Sequence, residues 1–240
     1  NIVIILTDDQ GYGDMKCYGN SRLQTPNLDQ LAAEGIRFTN FYAGAAASTP
    51  SRAALLTGRY AERAGLQGVV DDLSVNGLES DEFTLADYLK QNNYATGIFG
   101  KWHLGCLPEH LPLRHGFNEF FGLPYSNDMW PFHPQPGHPY RALPLYDNER
   151  VVEYNPTVNH MTTRITERAT AFIDKHKNEP FLLYVPYTQP HVPLGVSDKF
   201  KGKSGEGLYA DVIMEIDWSV GEIMKTLKEN GLDDHTLVLF

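Results

Sequence analysis

Hydrophobic residues recur along this chain with two different spacings. Five short segments, Asn1–Thr7, Ile36–Ala43, Tyr94–Phe99, Phe181–Val185 and Thr236–Phe240, are rich in β-branched and aromatic residues and read as strands. The first carries the unbroken run Ile-Val-Ile-Ile-Leu, which predicts a strand covered on both faces and hence a parallel sheet. Between the strands the spacing becomes helical. Residues 25–35 open on Thr25 and Pro26 and close on Gly35. Thr84 starts a short helix with Leu85, Tyr88 and Leu89 on one face. Met161, Ile165, Ala169 and Phe172 mark a helix over 158–177. Val212, Ile213, Ile216, Val220, Ile223 and Leu227 mark another over 209–227, where Asp217 is expected to be structural. Alternating strands and helices predict an α/β fold, a mostly parallel sheet with helices on both faces. Residues 106–150 follow neither period. Their Pro, Gly and aromatic content reads as a long functional loop, in which Trp130, Phe132, His133, His138 and Tyr140 would either line a sugar-binding rim or pack as an aromatic cluster.

Charge and composition narrow the classes. A net charge of -10 without a basic stripe argues against a nucleic-acid partner. No apolar run approaches the ~20 residues of a membrane span. Cys17 and Cys106 are too few for a disulfide framework and are expected to be free thiols. No Asn-x-Ser/Thr acceptor occurs, which suits a bacterial protein better than a glycosylated one. The chain opens directly on a strand, as a processed protein would. The expected location is periplasmic or secreted.

Chemistry-bearing residues gather at the predicted strand ends. Asp8 and Asp9 follow the first strand, where α/β sheets place ligands. Two adjacent carboxylates read either as a solvated acidic turn or as a cation site, and the strand-end position with its nearby glycines favours a hard divalent ion with oxygen ligands. A small-residue loop, 43–47, leads to Ser48-Thr49-Pro50-Ser51-Arg52, which reads as a helix start with Ser48 at the anion-attracting end, Arg52 one turn on and Gly58 as the stop. Lys101 and His103 end the strand at 94–99 and face one way if the extended spacing persists. One can hold an anionic oxygen and the other can move a proton. His191 sits between Pro190 and Pro193 after the strand at 181–185.

Residues 48–59, Ser-Thr-Pro-Ser-Arg-Ala-Ala-Leu-Leu-Thr-Gly-Arg, fill every fixed position of the pattern C/S-x-P-S-R-x-x-x-L-T-G-R. Gly100-Lys101-Trp102-His103-Leu104-Gly105 and Gly122-Leu123-Pro124-Tyr125-Ser126 extend the likeness. Together they resemble the formylglycine-dependent, arylsulfatase-like sulfatases of the alkaline-phosphatase superfamily, over nearly all 240 residues. The resemblance implies hydrolysis of a sulfate ester on a carbohydrate or aryl alcohol. The nucleophile would be formylglycine made from residue 48 by a dedicated maturation enzyme, with one Ca2+ held by Asp8, Asp9 and position 48. It implies that Arg52 and Lys101 hold the nucleophile, and Lys101 the sulfate as well. His103 would be a base oriented by Ser126, and His191 would touch sulfate and protonate the leaving oxygen.

It also implies an Asp-Asn pair and a further Lys beyond Phe240, so that residues 1–240 would be the N-terminal part of the catalytic domain. Ser48 is compatible with a native serine-type enzyme, an engineered replacement of cysteine, or a plain serine that turns over poorly. The alternatives are a phosphomonoesterase or phosphodiesterase of the same superfamily, and an inactive sulfated-sugar-binding homologue.

Overall fold

The structure, a computed structural model, describes residues 1–135, 137 and 139–240. Among them, seven strands form one mixed sheet: β1 (Ile2–Leu6), β2 (Ala95–Lys101), β3 (Glu119–Leu123), β4 (Pro144–Asp147), β5 (Arg150–Tyr154), β6 (Phe181–Pro186) and β7 (Leu237–Leu239). The order across the sheet is β5-β4-β3-β2-β6-β1-β7. Strands β3, β2, β6, β1 and β7 run parallel, while β4 and β5 add an antiparallel hairpin at one side. Five α-helices accompany it: α1 (Pro26–Glu34), α2 (Ser48–Thr57), α3 (Leu85–Gln91), α4 (Met161–His176) and α5 (Leu208–Glu229).

Strand alternation sorts the apolar residues into two cores. Val3, Ile5, Phe99, Phe121, Leu183 and Val185 meet the apolar faces of α4 and α5, including Ile165, Phe172, Ile216 and Val220. Ile4, Ile98, Phe120 and Leu182 point the other way, toward Ala53 and Leu56 of α2 and Ala86 and Leu89 of α3. The sheet is thus covered on both faces, as the apolar runs require.

Several local expectations change. Thr25 does not cap α1 with its side chain. The free N–H groups of Asn27 and Leu28 donate instead to Asp217 of α5, at 3.3 and 2.9 Å. That gives Asp217 its structural role. The short helix α3 buries Ala86 and Leu89 and leaves Tyr88 outside. Residues 36–43 do not form the expected strand. Ile36, Phe41 and Tyr42 are about four-fifths exposed, and no described strand pairs with them, so their β-rich composition has no ladder to join. The 106–150 segment is not structureless either, for it holds β3 and β4. Cys17 and Cys106 are free, as expected.

At the sheet's ligand-facing end the backbones crowd together. A Cβ on Gly100 would lie 1.9 Å from the Pro186 carbonyl oxygen, and one on Gly122 would lie 1.7 Å from the Gly100 oxygen. Gly100 also has φ +139, outside the range of ordinary side chains. Gly100→Ala is therefore expected to destabilise the fold by about 3 kcal/mol or more, read from the urea midpoint.

A buried imidazole links stability to pH. His115 is 1% exposed beside Trp102, and burial holds its pKa down at about 4. The unfolded chain binds this proton near pH ~6.5, so stability falls as pH drops from ~6.5 toward ~4 and levels off below. The loss from this residue is at most about 3 kcal/mol. His115→Leu is expected to flatten that stretch of the stability–pH curve, measured by urea unfolding across it.

Candidate active site

The carboxyl ends of β1, β2 and β6 deliver most of the sequence-selected residues to one place. Past β1, Asp8 is 4% exposed, and its N–H donates to the Gln189 carbonyl at 3.1 Å, pinning it to the chain after β6. The loop before α2 brings in Ser48. Ser48 is the first helical residue and not the cap, since Ala47 occupies that position without a side-chain bond. Its hydroxyl therefore does not cap the backbone of its own helix. Gly58 ends the helix in the left-handed conformation, as read from the sequence.

Arg52, one turn along α2 and 2% exposed, holds the centre together. Its Nε donates to Ser48 Oγ at 2.8 Å, one Nη to the Lys101 carbonyl at 2.7 Å, and the other to Asp8 Oδ1 at 3.1 Å. Lys101 is fully buried and donates from Nζ to Asp8 Oδ2 and to Ser126 Oγ, the latter at 3.1 Å. One carboxylate thus faces two cations. Burial alone would raise the Asp8 carboxyl, but Arg52 and Lys101 outweigh it and hold the pKa at about 2. Burial pulls the Lys101 ammonium down to about 8, against the attraction of Asp8.

His103 reaches the nucleophile position by a turn. The extended spacing after Lys101 does not persist, for His103 has φ 60. The β2–β3 ladder nonetheless continues past the strands, with Trp102 N–H on Leu123 O at 2.9 Å and His103 N–H on Pro124 O at 3.0 Å. The ring lies with Nδ1 3.1 Å from Ser48 Oγ and Nε2 2.8 Å from Val70 O. A carbonyl only accepts, so Nε2 carries the proton and Nδ1 is left as the acceptor for the Ser48 hydroxyl. Burial, with Lys101 and Arg52 adding to it, lowers the imidazole pKa well below its usual value and keeps the ring neutral.

This corrects the part expected of Ser126. Its hydroxyl lies against Lys101, and Val70, in the irregular 60–82 segment, orients His103. Sequence reading missed Val70 because a carbonyl ligand leaves no trace in residue type. It also missed Tyr184 of β6, whose fully buried hydroxyl lies beside Arg52 and whose pKa burial pushes up to about 12. The Arg52 and Asp8 charges are felt there. Tyr184 reads from sequence as one more core aromatic.

Asp9 and His191 form the outer side. Asp9 has φ 68 and a side chain 68% exposed, with His191 Nε2 3.6 Å from its Oδ2. Of the aromatic rim, Trp130 and Phe132 meet edge to face at 5.0 Å between centroids, as do His133 and Tyr140 at 5.3 Å. His138 lies outside the described residues.

A model of the sulfatase family matches residues 1–240. The chain belongs to the sulfatase family. Relatives include arylsulfatase A of Bos taurus, 42% identical over all of this chain and 51% of its own length. An N-acetylgalactosamine-6-O-sulfatase of Bacteroides thetaiotaomicron is 35% identical, over all of this chain and 58% of its own length. This sulfatase-family chain therefore spans about half the length of the curated relatives it matches. Among solved structures, Ps i-CgsB in complex with k-i-k-neocarrahexaose superposes with a TM-score of 0.87 at 33% identity, covering 99% of this chain and 57% of the other. A phosphonate monoester hydrolase of Agrobacterium radiobacter shares the fold, with a TM-score of 0.69 at 18% identity, covering 99% of this chain and 61% of its own.

For the Ca2+ implied by the resemblance, the described residues are insufficient. Both Asp8 oxygens face Arg52 or Lys101, and among the described residues no group of three His, Cys, Asp or Glu is placed to hold a metal. Such an ion takes about six to eight oxygens.

The buried charge triad is directly testable. Asp8→Asn strands two cations in the interior and is expected to cost about 3–5 kcal/mol at pH 7 in urea unfolding. Adding Lys101→Met removes one of them and is expected to restore part of the loss.

Proposed function

We propose that the protein hydrolyses sulfate esters on a carbohydrate, with residue 48 as the nucleophile. The observation that carries this reading is the Ser48 oxygen, held 2.8 Å from Arg52 Nε and 3.1 Å from His103 Nδ1. That geometry gives the oxygen a cation to stabilise charge and a neutral acceptor for its proton. When a maturation enzyme has converted position 48 to formylglycine, its hydrate supplies two hydroxyls, one to bond sulfur and one whose deprotonation frees sulfate. Arg52 orients the attacking oxygen, and His103 Nδ1 takes a proton from position 48. The Lys101 ammonium and the Arg52 guanidinium offset the negative charge that gathers on the sulfate oxygens. His191, at the outer side, donates a proton to the departing alcohol oxygen.

Relatives named as carbohydrate sulfatases, and a neighbour solved with a neocarrahexaose, support a sugar substrate. The relatives run to about twice this length, so we read residues 1–240 as the N-terminal part of the catalytic domain. A periplasmic or secreted location fits such substrates, and no helix among the described residues is long and apolar enough to cross a membrane.

Two measurements test this. The mass of the peptide holding residue 48 is expected to fall by about two hydrogens in the mature protein. Full-length protein is expected to cleave p-nitrophenyl sulfate or a sulfated saccharide in preference to p-nitrophenyl phosphate, and His103→Ala to lower kcat by about 10²–10⁴-fold. Phosphate-ester turnover that dominates over every sulfate ester would overturn the reading.

A further inference from the structure

We propose that Asp128 selects the substrate, its carboxylate accepting a hydrogen bond from a hydroxyl of the sugar ring that bears the sulfate. This inference rests on the sulfate-ester reading. Asp128 stands two residues beyond Ser126, whose hydroxyl touches Lys101 at 3.1 Å. The turn around it is tied by Met129 N–H on Ser126 O at 3.1 Å and Trp130 N–H on Asp128 O at 2.9 Å. The carboxylate is therefore held at the edge of the cationic centre, close enough for its charge to act on Lys101.

Its own hydrogen bonding is incomplete. Oδ1 is shut away from solvent with no partner among the described residues, which leaves Oδ2 as the oxygen a ligand can reach. Oδ2 lies 3.8 Å from His133 Nε2, too far for a hydrogen bond, and the side chain keeps 23% exposure. An ionised carboxylate has about four acceptor positions, and leaving them empty in a half-buried place is costly. The group is short of donors.

Chemistry says which donors. A carboxylate repels a sulfate oxygen, so Asp128 has no use as a sulfate ligand. Beside an anion site it serves a neutral donor attached to that anion, and a sugar hydroxyl is such a donor. The same charge rejects a ring carrying a second sulfate or a carboxylate at that position. Trp130 and Phe132, on the same loop, add apolar faces, and Phe132 is 69% exposed.

Calorimetric titration of the full-length protein with galactose 4-sulfate, galactose 6-sulfate and inorganic sulfate tests this without needing turnover. The wild type is expected to bind at least one sugar sulfate more tightly than inorganic sulfate. Asp128→Asn is expected to weaken that sugar sulfate by about 10–100-fold and to leave inorganic sulfate unchanged or tighter. The inference is overturned if the variant keeps the sugar-sulfate affinity. It is overturned too if both ligands weaken by the same factor, since Asp128 would then act through Lys101, or if the wild type shows no preference for either sugar sulfate. A wild type that binds none of the three sinks the sulfate-ester reading and this inference with it. Should Asp128→Asn fail to fold, Asp128→Ser is read in the same way.

Discussion

One buried carboxylate balances two buried cations at the heart of this protein. Asp8 sits between Arg52 and Lys101, and none of the three is more than 4% exposed. Charges taken out of water are tolerated only when paired and hydrogen-bonded. Here each partner comes from a different element: Asp8 from the end of β1, Lys101 from the end of β2, Arg52 from α2. The electrostatic requirement therefore also aligns two strands and a helix. The net excess of positive charge is what makes the place attractive to an anion.

Around that triad the proton chemistry is arranged by groups with no charge. Ser48 accepts from Arg52, which leaves its own hydrogen for His103, while the Val70 carbonyl fixes which imidazole nitrogen is free. Burial lowers the His103 imidazole pKa, with the Lys101 and Arg52 charges adding to it, and keeps its ring neutral. The two buried cations thus reinforce what burial already does to the imidazole.

Much of this was legible in the sequence. The apolar runs at 1–7, 94–99 and 181–185 announced a doubly covered parallel sheet because continuous apolar runs suit strands buried on both faces. The residues after those runs were legible as a site because strand ends in such sheets converge. What stayed hidden depends on backbone and context. Val70 acts through its carbonyl, and Ser126 turned out to serve Lys101 because the chain beyond β3 brings its hydroxyl there. Strands β3 and β4 lay inside a segment without period because Pro, Gly and aromatic residues masked the alternation. Residues 36–43 had strand composition but no ladder, since composition states a preference and pairing needs a neighbour.

The contact of bare backbone at Gly100, Gly122 and Pro186 has a consequence for how such a site can change. Where main chains touch without room for a methyl group, mutation has nothing to vary, and the floor of the site is frozen in shape. Diversity among proteins built this way must come from the chain that emerges above that floor, where insertions and exchanged side chains reshape the entrance without disturbing the chemistry below.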